Sequence, residues 1–137
     1  LHPKSRMKLK SKLKEITSRS KGFGYERCKI KLREYIQGWI GYYKLADMKN
    51  YLQSVDEWLR RRLRMCIWKC WKKVKTKFTN LKKCKIDRCQ AWQWANTRKG
   101  YWRTAKSPIL QRSLDTDSLR IAGYPFLSDY YCKIYRK

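Results

Sequence analysis

Residues 35–43 most constrain what this chain can fold into, because they combine a helical pattern with two glycines. In the surrounding run, 26–46, apolar residues recur at helical spacing and fall within one arc at about 100° per residue. We therefore expect an amphipathic helix. Gly38 and Gly41 each cost that helix about 1 kcal/mol relative to alanine. We attribute them to the close approach of another backbone, and we favour a neighbouring helix over a nucleic-acid strand.

The remaining segments also predict helices. Residues 3–20 carry a narrow apolar stripe, and residues 47–77 carry a wide apolar face. The composition shifts near residue 77, and several short helices are expected beyond it, while no stretch alternates persistently with a period of two. The sequence therefore predicts an all-α protein. We expect a unit of about three helices at 1–77, followed by a smaller helical unit at 78–137.

The helix expected at 47–77 has an apolar face and, on its opposite side, a basic face. Arginine offers a planar fork for phosphate and tryptophan offers a face for stacking, so the basic face predicts a nucleic-acid contact. The alternative is a solvated face whose tryptophan is buried against a partner. The basic face carries Arg61, Arg64, Trp68, Lys72 and Lys75. The expected core face carries Leu52, Val55, Leu59, Leu63, Cys66, Ile67, Cys70 and Val74.

The charge of the chain indicates a polyanionic partner. Lysine and arginine number 36 against ten acidic residues, which gives a formal charge of +26. Such an excess destabilises a compact state unless a polyanion shares it. Hydrophobic residues make up 42% of the chain and seven residues are tryptophan, so the chain is not a disordered basic tail. A folded, basic, aromatic-rich chain indicates nucleic-acid binding. Outside the third helix, the candidate contacts are Lys8 and Lys12 in the first helix, and Arg98, Lys99, Tyr101, Trp102 and Arg103 after residue 77.

Membrane and metal-binding functions are disfavoured. No apolar run approaches the roughly 20 residues that span a bilayer, and the apolar arcs suit a mutual core better than a cationic helix bundle lying on a membrane surface. The six cysteines include a C-x3-C-x13-C-x4-C pattern that begins at Cys66. Zinc knuckles commonly use C-x2-C, so we favour free, buried thiols in a cytoplasmic protein and predict no metal and no cofactor.

Catalysis by this chain is not expected. General acid–base chemistry needs positioned titratable groups, and the single histidine is His2, near the start of the chain. No Ser/His/Asp set and no glycine-rich phosphate loop occurs. A start at Leu1, without an initiator methionine, suggests a fragment. We therefore expect a binding protein.

Three motifs in order resemble one known family. Residues 33–43, REYIQGWIGYY, resemble the core of the maturase (X, or thumb) domain of bacterial group II intron reverse transcriptases. Residues 56–64 and 68–72 resemble the helix that follows in that family. Residues 91–103 and 107–110 resemble its C-terminal DNA-binding (D) region.

The resemblance implies a helical thumb followed by a D region. It implies that the chain binds group II intron RNA to assist splicing, and that it contacts template–primer duplex and target DNA during intron mobility. The fingers and palm of the reverse transcriptase would be its partner, and Mg²⁺ would belong to that parent polymerase. The catalytic Tyr-Ala-Asp-Asp motif is missing, so this chain alone is expected to be non-catalytic. The alternative is a generic basic nucleic-acid-binding helical domain.

Overall fold

A computed structural model describes residues 3–17, 25–43, 49–71 and 73–135. These residues form nine α-helices and no β-strand, so the all-α prediction is confirmed. The helices are α1 (Pro3–Ile16), α2 (Tyr25–Tyr43), α3 (Lys49–Cys70), α4 (Val74–Lys83), α5 (Arg88–Ala95), α6 (Tyr101–Ala105), α7 (Pro108–Ser113), α8 (Thr116–Ile121) and α9 (Leu127–Tyr135).

The chain divides into two compact units. Unit 1 comprises Leu1–Arg60 and Arg120–Lys137, and unit 2 comprises Arg61–Leu119. Helix α3 therefore begins in unit 1 and ends in unit 2. These packing units differ from the division at residue 77, and the assignment of 1–77 and 78–137 as functional domains stays a prediction.

Unit 1 is held together by the apolar faces that the helical periodicity predicted. The stripe of α1 and the arc of α2 are both buried, because each helix has only one face apolar enough to leave water. The first half of α3 and the start of α9 complete this core. Its most deeply buried side chains are Leu9, Leu13, Leu32, Ile36, Ile40, Leu52, Val55, Leu59 and Leu127.

The expected helix at 47–77 is interrupted, and this part of the prediction is wrong. Helix α3 ends at Cys70, where the Trp71 N–H is shared between the carbonyls of Ile67 and Trp68 at 3.2 Å each. Helix α4 begins at Val74, after an extended Lys73. No glycine or proline marks the break. Packing overrides the local preference for a continuous helix, because Trp68 of α3 and Leu81 of α4 lie in the same core.

After the interruption, α4 packs mainly against α5 in unit 2. The predicted core face holds through Leu63, which is buried, but Cys70 and Val74 are exposed. The buried position near the end of α3 is Trp68 instead. It forms a cluster with the core-facing residues of α4, α5 and α7 and of the turn after α4. The cluster comprises Trp68, Leu81, Ile86, Ala91, Ile109 and Leu110.

A tight turn joins α4 to α5. Lys85 adopts φ 67°, the left-handed conformation that usually requires glycine. The Ile86 N–H donates to the Leu81 carbonyl at 3.2 Å, and the Lys85 N–H donates to the Lys82 carbonyl at 3.0 Å. This is a Schellman motif, and its two apolar members, Leu81 and Ile86, lie in the unit 2 core.

Side-chain caps start the next helices. The Asp87 carboxylate accepts the Cys89 N–H at 3.2 Å at the start of α5. Ser107 accepts the Leu110 N–H at 3.4 Å at the start of α7, with Pro108 in the first turn. Such caps satisfy N–H groups that have no partner within the helix. Among the helices described, none is long and apolar enough to cross a membrane.

Candidate nucleic-acid interface

The positive charge cannot be neutralised within the chain, because ten acidic residues face 36 basic ones. Two of the ion pairs, Lys12–Glu15 and Lys29–Glu26, join residues one turn apart on a single helix. A third joins Arg120 to Asp129. Each includes a solvent-exposed carboxylate, and such pairs contribute little to stability. The basic side chains therefore remain available, as a population, to a polyanion.

In unit 1, the lysines of α1 form one side of a groove. Lys4, Lys8 and Lys12 follow one another at four-residue intervals and are exposed. The structure thus places the two predicted contacts of this helix, Lys8 and Lys12, on the same face. The groove has a volume of about 620 Å³ and is lined by Lys4, Met7, Lys8, Ser11, Lys12, Glu15 and Tyr35.

Gly38 and Gly41 lie on an exposed face of α2. A Cβ atom added at either position would meet no atom within 4 Å among the described residues. The expectation that a neighbouring helix packs closely on these glycines is therefore wrong. The physical reason is that the core covers only the apolar arc of α2, which includes Ile36 and Ile40. Approach of a nucleic-acid strand to the glycines stays a prediction.

The predicted basic stripe of the third helix does not exist as one surface. Trp68 is only 1% exposed, so the prediction that it offers a stacking face is wrong. Arg64 is buried as well, and its Nε donates to the Leu114 carbonyl at 2.7 Å. Lys75 is exposed but belongs to α4, and Lys72 lies outside the described residues. The stripe fails because this face of α3 is needed for the core of unit 2.

Two predicted residues from distant parts of the chain do come together in unit 2. The Arg61 guanidinium carbon lies 3.8 Å from the centroid of the Trp102 ring. The Arg61 Nε also donates to the Trp102 carbonyl at 3.0 Å. A guanidinium fixed in this way has further N–H donors that suit a phosphate. Arg61 therefore ties α3 to α6 and presents a positioned cation.

Tyr101, the first residue of α6, has two ammonium groups close to its ring. Its side chain is 45% exposed. The Nζ atoms of Lys69 and Lys77 lie 5.2 and 5.9 Å from its ring centroid. Sequence reasoning missed both lysines, because they sit on different helices whose separation it did not predict. The only feature of the sequence that pointed to these two lysines was the high density of lysine between residues 69 and 77.

Trp92 is an exposed aromatic residue that the sequence analysis did not select. It lies on α5 with 54% of its side chain exposed, and its ring meets Phe78 edge-to-face at 5.3 Å. The Nζ of Lys82 lies 5.0 Å from the Phe78 ring. An exposed aromatic ring has a face on which a base can stack, and contact of Trp92 with nucleic acid is a hypothesis.

The other predicted cations of unit 2 are on its surface. Arg98, Lys99 and Arg103 are exposed, as predicted contacts should be. The Lys99 Nζ lies 5.2 Å from the Trp94 ring centroid. Their contact with nucleic acid stays a prediction.

The cysteines differ from expectation in burial. All six lie in the described part of the chain and none forms a disulfide; Cys70 and Cys89 are exposed and the other four are half-buried. The expectation of buried thiols is therefore wrong. Burial, with a smaller effect of Asp115, raises the pKa of the Cys84 thiol and keeps it protonated. The described residues contain no group of three or more metal-ligating side chains.

One comparison with known proteins bears on this surface. The family model described as "Group II intron, maturase-specific domain" matches residues 6–85, more than half of the chain. The match begins within α1 and ends in the turn after α4. No curated protein matches the chain.

Proposed function

The chain belongs to the family of group II intron maturase-specific domains, and from that premise we propose that it binds group II intron RNA and assists splicing. The single observation that carries this proposal is the formal charge of +26 on a folded chain. Binding a polyanion releases condensed counterions and relieves the self-repulsion of the basic residues.

The aromatic residues favour structured RNA among the polyanions. Tyr101 and Trp92 both have exposed rings in unit 2, and the Lys69 Nζ lies 5.2 Å from the Tyr101 ring centroid. Proteins recognise folded RNA largely at loops and bulges, where unpaired bases stack on such rings while cations hold the phosphates. A fully paired duplex offers these rings no exposed base face except at its ends.

The proposal extends to the other nucleic acids of intron mobility. Phosphate contacts do not depend on sequence, so the same lysines and arginines would also hold a template–primer duplex and target DNA. A reverse transcriptase core with fingers and palm would be the protein partner, and Mg²⁺ would act in that core. In this extension the exposed cations after α5, Arg98, Lys99 and Arg103, contact DNA.

Salt dependence tests the proposal. If six or more phosphates are neutralised, affinity for group II intron RNA should fall roughly 10³-fold or more between 50 and 200 mM salt. A flat salt response would remove the basic surface as the binding site. Measurement against a DNA duplex of equal charge then separates RNA preference from general attraction to phosphate.

A generic basic nucleic-acid-binding domain is the second candidate. The same charge favours it, since counterion release is independent of sequence. It predicts equal affinity for intron RNA and for any other folded RNA of the same length.

A further inference from the structure

We propose that the groove of α1 in unit 1 receives an unpaired nucleotide of the RNA, with its base on Met7 and Tyr35 and the neighbouring phosphates on Lys4, Lys8 and Lys12. This inference rests on the proposed function and names the part of the RNA that the groove takes. In this proposal the groove binds a base as well as phosphates, whereas a purely basic surface would bind phosphates only.

The lysines form a regular row. Lys4, Lys8 and Lys12 are each four residues apart on α1, so their Cα atoms follow one another at about 6 Å along the helix axis and share one side. A row of ammonium groups at this pitch can follow the backbone of a single strand. An isolated cation would bind one phosphate but would not orient the strand along the helix.

The apolar part of the groove suits a base. Met7 is 70% exposed, which is unusual for such a large apolar side chain. A thioether is polarisable and makes favourable contacts with aromatic rings. Tyr35 is half-buried and lines the same groove. A volume of about 620 Å³ leaves room for a nucleobase.

Tyr35 adds a polar group beside this apolar surface. Burial, with a smaller effect of Tyr43, raises the pKa of the Tyr35 hydroxyl above its ordinary value. The phenol is uncharged at neutral pH, as in an ordinary tyrosine, and does not repel phosphate. Its hydroxyl can donate or accept one hydrogen bond at a base edge.

The composition of the groove favours a nucleotide over a docked protein helix. An amphipathic helix needs an apolar row that matches its anchors at i, i+3 or i+4, and i+7. Here Met7 and Tyr35 are the only large apolar side chains in the lining, and the other apolar surface comes from the stems of lysines whose heads are charged. Glu15 is the only anionic lining residue, and its 3.7 Å pair with Lys12 is half exposed.

Two RNAs with equal numbers of phosphates test the inference. One is a hairpin with an unpaired loop and the other is a blunt duplex. Met7→Ala should weaken binding of the hairpin roughly two- to tenfold and leave duplex binding unchanged, because the thioether contacts only an exposed base. Ile121→Ala is the matched control, since Ile121 is 88% exposed in the same unit but does not line the groove. It should change neither affinity.

Charge variants test the phosphate row. Lys8→Ala should make the salt slope for the hairpin shallower by about 0.7, the value for one single-strand phosphate. Glu15→Gln should strengthen binding of the hairpin, because it removes the one anion of the groove.

The outcomes separate this inference from the proposed function. If the wild-type protein binds both RNAs and Met7→Ala changes neither affinity, or weakens both equally, the groove does not hold a base and only this inference fails. If the wild-type protein binds neither RNA, the proposed function fails as well. If Met7→Ala instead abolishes binding of an acidic amphipathic peptide and spares the hairpin, the groove is a protein-docking site and the inference is overturned.

Discussion

Asp56 in α3 and Ser128 in α9 lie 72 residues apart, yet the Asp56 carboxylate accepts the Ser128 N–H at 2.9 Å and also the Ser128 hydroxyl. It further accepts the Leu127 N–H at 2.8 Å. The Asp56 side chain is buried. A carboxylate at a helix start satisfies N–H groups without a helical partner and complements the helix dipole. Asp56 thus caps the start of α9. Phe126, the residue that precedes α9, has no side-chain acceptor with which to do so.

Asp56→Asn should destabilise the protein by about 2–4 kcal/mol. The asparagine side chain has one acceptor oxygen where aspartate has two, and its NH₂ group cannot accept the N–H groups of Leu127 or Ser128. A buried backbone N–H group is therefore left without an acceptor. Ser128→Ala is the milder control, with an expected loss of about 1 kcal/mol, because both backbone N–H bonds survive. Denaturant unfolding measures both values. Equal small losses would show that the carboxylate does not cap α9.

The same carboxylate should give stability a characteristic pH dependence. Burial raises the pKa of Asp56 above its ordinary 3.8, against the opposing effects of the Ser128 and Leu127 hydrogen bonds and of Arg60. The part of its stability that depends on protonation is therefore complete below pH 3.8 and declines as pH rises through the folded-state pKa, because burial disfavours the ionised form more than its hydrogen bonds favour it. The difference in unfolding free energy between wild type and Asp56→Asn should shrink across that window. A difference that grows with pH would contradict the raised pKa.

Lys85→Gly should stabilise the protein by about 1 kcal/mol. Lys85 has φ 67°, where a side chain is strained and glycine is not. Lys83→Gly is the matched control, because Lys83 is the last residue of α4 and the same change in a helical residue costs up to about 1 kcal/mol. Melting temperatures of the two variants should move in opposite directions. A shift in the same direction would contradict the left-handed turn.

Gly38→Ala and Gly41→Ala should each raise stability by up to about 1 kcal/mol, because the added methyl groups meet no neighbouring atom. Gly123→Ala provides the opposite case, since φ of 102° strains any side chain. It should lower stability by about 1 kcal/mol or more. A stability loss at Gly38 or Gly41 would mean that another part of the chain covers this face of α2. Intron RNA affinity measured on the same variants then reports whether a strand approaches the glycines.

Two tryptophans should behave in opposite ways. Trp68→Ala should cost about 3–5 kcal/mol of stability, because it empties the centre of the unit 2 core. Trp92→Ala should cost only about 1 kcal/mol of stability, through its edge-to-face contact with Phe78, and should weaken binding of looped RNA by about 1–3 kcal/mol, the usual effect of losing one stacking ring. Thermal unfolding and RNA affinity, measured on both variants, distinguish the roles. A Trp92→Ala variant that melts early would place this residue in the core.

The sequence predicted the parts of the fold that depend on one regular period. The stripe of α1, the arc of α2 and the first half of α3 each have one apolar face, and Leu9, Ile36 and Leu59 are buried accordingly. The end of α3 could not be predicted in this way. The prediction from helical periodicity treated one face of the helix as the core face along its whole length. Helix α3 instead contributes to the cores of two units, so its buried face changes along the helix.

For the candidate interface, the sequence predicted which residue types would be exposed but not which residues would lie together. Exposed cations such as Lys8 and Lys12 follow from charge density, because so many basic residues cannot be buried. The pairing of Arg61 with Trp102, and of Tyr101 with lysines of α3 and α4, depends on the turn between those helices. No glycine or proline marks that turn in the sequence.

The most direct test of the central claim compares two folded RNAs of equal length under the same salt conditions. One is a group II intron RNA and the other is an unrelated structured RNA, so the number of phosphates is matched. We predict that the protein binds the intron RNA at least about tenfold more tightly, which corresponds to about 1.4 kcal/mol. Equal affinity for the two RNAs would contradict the account and leave a general attraction to phosphate in its place.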